Sequence, residues 1–538
     1  QLPALTGANA FCEALQKYKH FFIYLAVIAL LSYTYDLFNF SINIDSEIHA
    51  VGPGPNNGWV MQGRWGMYLL SWLILPDTVM PVSPMLVALT GLAVGVFFFT
   101  RILDCTNTPA AYIAAPLAIA CPVLYYALYF TTLGYGLGVG FALANIAIYL
   151  LTRWRWAPVL FSIPVLCFAI GIYQAVLPLL AVIFCTYLLN EILHDRLKSP
   201  AILLRYVLLF AVVVSISCGL YVLVTKLSLR LAGVTYYSQY MNEFVDFQFT
   251  AKYLKPALHK TLLAGWHYYT GHREFYAYNI NPLLWLFCLC LFLCLLRIFT
   301  CPQKILMKML AGMIFLALLF APLSMLLMNS GEMPPRTMVG IPYALAGLVV
   351  IAVTGSSNTA RITICLLVFI CFYRFTIINN RFALANHMAW QSDREFSVLL
   401  LDRMGRLWDK LPPKDRFTQY PVELVGVRET FESPILLKKE VIGTSFYYWS
   451  AGSIDRMIDF LLTMGVFDYK PAVQQQRLSV VDAAEKMPEW PKEGSVDVVN
   501  GVIVVKIGPY NPHQIVSMCQ PPEDKNDFCV KTVPSLIL

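Results

Sequence analysis

Long apolar runs recur along this chain of 538 residues, and they restrict its fold more than any other feature. The hydrocarbon core of a bilayer takes about 17–25 residues of helix, because every backbone N–H and C=O inside it must be satisfied within the segment. By that measure about eleven runs qualify, at 19–38, 83–101, 109–130, 134–152, 157–172, 174–190, 204–225, 281–297, 309–328, 338–354 and 362–379. Charged residues make up only 13% of the sequence, against about a quarter in soluble domains. The chain therefore reads as a polytopic α-helical membrane protein. The first run, Phe21 to Leu37 at its core, is long enough to stay as a span rather than act as a removed signal. Residues 66–80 are too short to span comfortably and read as a re-entrant or interfacial helix.

Lysine and arginine orient the spans. Arg101, Arg153, Arg155, Arg196, Lys198, Arg205, Arg297, Lys304, Lys308 and Arg361 fall in alternate loops, while the intervening loops are nearly bare of charge. This bias predicts a cytoplasmic N-terminus. It predicts an outer location for residues 41–65, 226–280, 329–337 and everything after about 380. The segment 226–280 is dense in Tyr, Phe, His and Trp, which suits either sugar stacking or an interfacial amphipathic helix.

After Asn380 charge becomes frequent, and strand-like stretches appear at Val422–Val425 and Val502–Val505 between helix-like ones at 391–411 and Ser453–Met464. Residues 1–379 are accordingly expected to form the membrane domain and 380–538 one compact α/β domain. Most of the 14 cysteines lie in apolar runs, where thiols act as small hydrophobes. Cys519 and Cys529 lie in a polar tail instead and are expected to form a disulfide if that tail faces an oxidising compartment. No zinc spacing, glycine-rich phosphate loop or Lys/Arg run is present, so nucleic acid is not an expected partner. Membrane lipids are.

Chemistry concentrates after the first span. Asp45 and Glu47 stand two residues apart in the first outer loop. In an extended loop such residues point the same way, giving one site two carboxylates. One carboxylate suits a general base, and the other suits orienting an acceptor or holding a divalent cation. His49 is a further candidate for the same pocket. Arg64 and Arg336 are the only basic residues of their short outer loops, and a planar guanidinium there invites a phosphate. Arg374, near the outer end of the last span, is a third such candidate or an interfacial anchor. Asp36 sits near the outer end of the first span, where an ionisable group is either functional or snorkelling to the interface. Tyr173 and Gln174, in GIYQA, join two spans on the outer side and can hydrogen-bond a hydroxyl-rich substrate; an ordinary interface tyrosine is the alternative.

An early D-x-E after the first span, many further spans and a soluble outer C-terminal domain resemble the GT-C glycosyltransferases. More narrowly, NFSINIDSEIHA followed by GRWGMYLL, GIYQA and PPRTMVGIPYALAG resembles the Gtr-type O-antigen glucosyltransferases of bacteria and their phages. The resemblance implies a polyprenyl-phosphate-sugar donor, with glucose the expected sugar, used on the periplasmic side of the inner membrane. The implied acceptor is a lipid-linked oligosaccharide or O-antigen. Asp45 would then deprotonate the acceptor hydroxyl with Glu47 assisting, and Arg64 or Arg336 would stabilise the departing lipid phosphate. D-x-E stands where some relatives have D-x-D, which leaves open whether Asp45 and Glu47 hold a divalent cation such as Mg or Mn. A transporter or flippase of a lipid-linked sugar is the competing reading. The acidic pair, the large outer domain and the lack of paired repeats stand against it.

Overall fold

The computed structural model describes residues 8–51, 57–75, 79–234, 251–329, 331–411 and 419–519. The chain divides into two compact units. One comprises Gln1–Phe38 with Gly54–Arg381, and the other Asn39–Pro53 with Phe382–Leu538.

The first unit is helical. Among the described residues seven helices are long and apolar enough to cross a membrane: Ser83–Ile102, Thr131–Leu151, Val176–Leu193, Pro200–Leu231, Asn281–Thr300, Ile305–Met328 and Asn358–Gly405. The pair Pro109–Ala120 and Pro122–Leu128, bent by 45°, makes an eighth if it is one broken span. Proline explains the break, since Pro122 brings no N–H to the helix ladder and its ring crowds the preceding turn. Trp156–Ile172 and Ile341–Thr354 are apolar but shorter. The first run falls on Ala8–Ser32 and Thr34–Phe38, so all the runs lie on helices, and among the described residues seven or eight are both long and apolar enough for a span.

Close packing rests on small residues, as expected where lipid supplies no hydrophobic drive between helices. Thr131–Leu151 carries glycines at 134, 136, 138 and 140. A Cβ on Gly138 would lie 2.2 Å from the Ala88 carbonyl oxygen, and one on Gly91 would lie 2.3 Å from the Gly138 carbonyl carbon. Any side chain there would force the two backbones apart.

The stretch after Arg64 is a nine-residue helix, Trp65–Leu73, with Trp65, Met67 and Leu70 buried. It docks on the end of Trp156–Ile172, where a Cβ on Gly171 would sit 2.5 Å from Trp65 Cε2. The aromatic segment 226–280 is largely helical where it is described, in Ala251–Thr270 and Arg273–Tyr276.

The second unit is α/β. Its strands β1 (Tyr420–Val425), β2 (Tyr469–Pro471), β3 (Val496–Val499) and β4 (Val502–Lys506) form one sheet in the order β2-β1-β4-β3. β1 runs parallel to β2 and β4, and β3 pairs with β4 antiparallel. The antiparallel pair turns through Asn500-Gly501, both at positive φ, the geometry that a two-residue hairpin of native twist requires. The central strands read as nearly unbroken apolar runs, because both faces are covered. Val422, Leu424 and all of Val502–Val505 are buried, with helix Gln474–Lys486 supplying Val480 and Ala484 to the same core. Cys519 is disulfide-bonded; Cys529, its expected partner, lies outside the described residues. The helix Asn358–Gly405 runs unbroken past Asn380, so the change of composition there is not a change of element.

Candidate active site

The acidic segment is shaped by a turn rather than an extended loop. The Ser46 amide bonds the Asn43 carbonyl at 2.9 Å, and Asp45 takes φ 74°, a left-handed conformation that Asp tolerates better than most residues. Helix Ser46–Val51 then starts, with Glu47 in its first turn. The expected extended loop is therefore corrected: a left-handed residue next to a helix start replaces i, i+2 alternation. Asn386 donates to Ser41 Oγ at 3.4 Å and also to Asn43 Oδ1, tying the segment's entry to the long helix.

What joins the carboxylates is Arg456, on helix Ile454–Thr463. Its Nη2 donates to Asp45 Oδ1 at 2.5 Å and its Nη1 to Glu47 Oε1 at 2.7 Å. One planar fork thus grips two acids, the bidentate geometry for which arginine is suited. Glu47 is fully buried while Asp45 is 38% exposed, and Glu47 Oε2 meets no hydrogen-bond donor. Burial pushes the Glu47 carboxyl up to about 7, against the pull of Arg456 and with the help of Asp45's negative charge. Burial lowers the His49 pKa, and Asp45 pulls it the other way. Asp459, one turn on from Arg456, is likewise raised by burial and by Asp455. With Arg456 bonded to one oxygen of each acid, this arrangement is an arginine clamp. Arg456 escapes sequence reasoning because it stands 411 residues from Asp45 and no motif marks it.

A second cluster forms in the helical unit. The Arg64 guanidinium lies 5.2 Å from the Tyr173 ring centre and 5.7 Å from that of Trp59. Tyr173 Oη donates to the Arg336 carbonyl at 3.2 Å, and Arg336 lies over Phe130 at 5.5 Å. Gln174 donates to the Gln62 carbonyl and to Tyr221 Oη, each at 3.0 Å. Four residues chosen from sequence, Arg64, Tyr173, Gln174 and Arg336, therefore come together around one tyrosine. Both guanidinium groups lie over aromatic rings, a cation–π arrangement. Asp36 is half-buried elsewhere in this unit and takes a hydrogen bond from Tyr125. Arg374 is exposed on its helix, as an interfacial anchor would be. Asp45, Glu47 and His49 belong to one unit and the arginine cluster to the other.

No curated protein and no solved structure matches this chain significantly. The family model described as Glucosyl transferase GtrII does match, over residues 34–353. That range holds Asp36, Asp45, Glu47, His49, Arg64, Tyr173, Gln174 and Arg336, and it ends before Arg374 and Arg456. Spanning well over half of the sequence, the match shows that this chain belongs to the GtrII glucosyl transferase family and is a glycosyltransferase of the membrane.

Proposed function

We propose that the chain moves glucose from a polyprenyl-phosphate donor to a lipid-linked O-antigen or related cell-surface glycan, at the periplasmic face of a bacterial inner membrane. The family supports sugar transfer. The one-sided distribution of Lys and Arg supports a cytoplasmic N-terminus, with the acidic segment and the C-terminal unit outside. The disulfide-bonded Cys519 fits an oxidising compartment.

The observation that carries the chemistry is the Arg456 fork on Asp45 and buried Glu47. Asp45 keeps solvent exposure in a strained backbone position, where a reacting group is often held. In this reading its carboxylate accepts the proton of the acceptor hydroxyl. The hydroxyl oxygen bonds to the anomeric carbon from the face opposite the phosphate, the bond from that carbon to the phosphate oxygen breaks, and polyprenyl phosphate leaves with the electron pair. The anomeric configuration inverts. Glu47 and Arg456 orient Asp45.

The test is transfer of radiolabelled glucose from polyprenyl-phosphate-glucose to lipid-linked O-antigen by purified protein and by Asp45→Asn. Transfer by the wild type alone, with both proteins equally folded, is the expected result. Equal transfer by both would place the base elsewhere. No transfer by either, with donor still bound, would favour transport of the lipid-linked sugar.

A further inference from the structure

A second group of potential ligands lies in the helical unit, away from every residue given a role above. His267 is in the last turn of helix Ala251–Thr270, and His272 and Glu274 follow a tight turn. Gly271 makes that turn at φ +74°, with no room for a side chain: a Cβ would lie 2.8 Å from Ile280 Cβ. The His272 amide bonds the His267 carbonyl at 2.9 Å, and the Ile280 amide closes back on the Gly271 carbonyl at 2.8 Å. The backbone thus fixes the three side chains on one small loop.

Their nitrogen and carboxylate atoms all lie within 4.8 Å of one another. His267 Nδ1 is 2.6 Å from Glu274 Oε2, and His272 Nδ1 is 3.9 Å from the same oxygen. His272 Nδ1 also accepts the Glu274 amide hydrogen at 3.4 Å, capping the short helix Arg273–Tyr276, a long contact that a metal ion would replace. Two imidazole nitrogens and a carboxylate oxygen this close are the donor types that one cation can gather. Tetrahedral zinc, with bonds of about 2.0–2.2 Å, spaces its ligands roughly 3.4 Å apart. Opening the shorter contact and closing the longer one by under about 1 Å would meet that spacing. The rings stack at 3.9 Å and must part slightly for each to present its nitrogen in plane. His267 and Glu274 also line a cavity of about 550 Å³ with Lys260 and Glu332.

We propose that His267, His272 and Glu274 bind a zinc-class divalent cation, with its fourth position open to this cavity. Two imidazoles and one carboxylate form a borderline donor set, which favours Zn²⁺ over Mg²⁺ or Ca²⁺. The site does not depend on the sugar-transfer reading. An anion in the cavity, such as a phosphate or carboxylate, would be the natural fourth ligand, next to Lys260.

The experiment uses the full chain in detergent, stripped with chelator and titrated with Zn²⁺ alone, bound metal being read by elemental analysis after dialysis. The wild type is expected to hold about one equivalent. His272→Ala and Glu274→Gln should each weaken binding by at least the roughly 10–100-fold that loss of even an outer-shell partner costs. As a second measurement that needs no variant, X-ray absorption at the zinc edge should show two imidazoles in the first shell. A stripped wild type that takes up no zinc at micromolar concentration would overturn the proposal. So would variants that retain the metal undiminished, or an edge spectrum without imidazole.

Discussion

Three buried carboxylates in the C-terminal unit, Asp393, Glu423 and Glu47, each face an arginine, and Asp393 and Glu47 differ most in how they are held. Asp393 is fully buried, and both its oxygens are satisfied. Oδ1 accepts from Arg428 at 3.0 Å and Ser445 at 2.8 Å, and Oδ2 from the Phe446 amide at 2.7 Å. Glu47 is just as buried, but one oxygen has no donor and its arginine is shared with the half-exposed Asp45. Burial raises both carboxyls to about 7. A raised pKa therefore does not separate them; hydrogen-bond completeness does. An open oxygen alone does not mark a reacting acid, since Glu423 Oε1 also lacks a donor beside Arg477; what sets Glu47 apart is that it shares its arginine with the half-exposed Asp45.

The strongest way to test this contrast is Asp45→Asn, expected to slow sugar transfer by about 10²–10⁴-fold, the usual worth of a general base, with melting unchanged. Asp393→Ala should do the reverse. Leaving Arg428 and its partners unmatched is expected to destabilise the unit by about 3–5 kcal/mol, seen as a lower melting temperature in detergent, with normal turnover by the protein that remains folded. Loss of turnover in folded Asp393→Ala would collapse the distinction. Arg456→Met is expected to slow transfer about tenfold, the milder end of what misplacing a reacting group costs. It should also push Glu47 further up, moving the acidic limb of the pH–rate profile above about 7, which a merely structural role would not do. Arg456→Lys should restore little, since an ammonium cannot fork across two acids.

The smallest effect concerns Glu47 itself. Its folded pKa, about 7, lies above the ordinary value of 4.5. The folded state thus holds its proton more tightly than the unfolded one. Its contribution to stability is full below 4.5 and is lost as pH rises through about 7. Transfer by the wild type should rise across the same interval as the carboxylate forms and engages Arg456. Glu47→Gln should remove that inflection from both the melting and the rate profiles, and an unchanged inflection would assign it to another group.

Much of this fold is legible in the sequence because hydrocarbon allows a run of apolar residues so few conformations. The runs at 83–101 and 281–297 became Ser83–Ile102 and Asn281–Thr300. Strands β1 and β4 were equally plain, since stretches such as VIVV have no amphipathic helix to form. Spacing alone could not show how Asp45 and Glu47 meet, because a single left-handed residue cancels the alternation on which the extended reading relied. Nor could it show Arg456, whose pairing is a matter of tertiary packing, or the meeting of His267 with His272, which depends on the reversal at Gly271. The arginines at 64 and 336 were visible as exceptions to the charge bias; that both lean on aromatic rings around Tyr173 was not.

The clamp also sets a timetable for biosynthesis. Asp45 and its arginine are separated by 411 residues, so at translation speeds of about 5–20 residues per second the acid waits roughly 20–80 s for its partner to be made. Throughout that interval nearly all the membrane helices already exist, while most of the unit that buries Glu47 and the arginine that pairs with it do not. A nascent chain arrested before Arg456 would carry the whole stretch that marks its family and still lack the completed acidic site. Until Arg456 is added, the chain lacks the side chain that links Asp45 to Glu47.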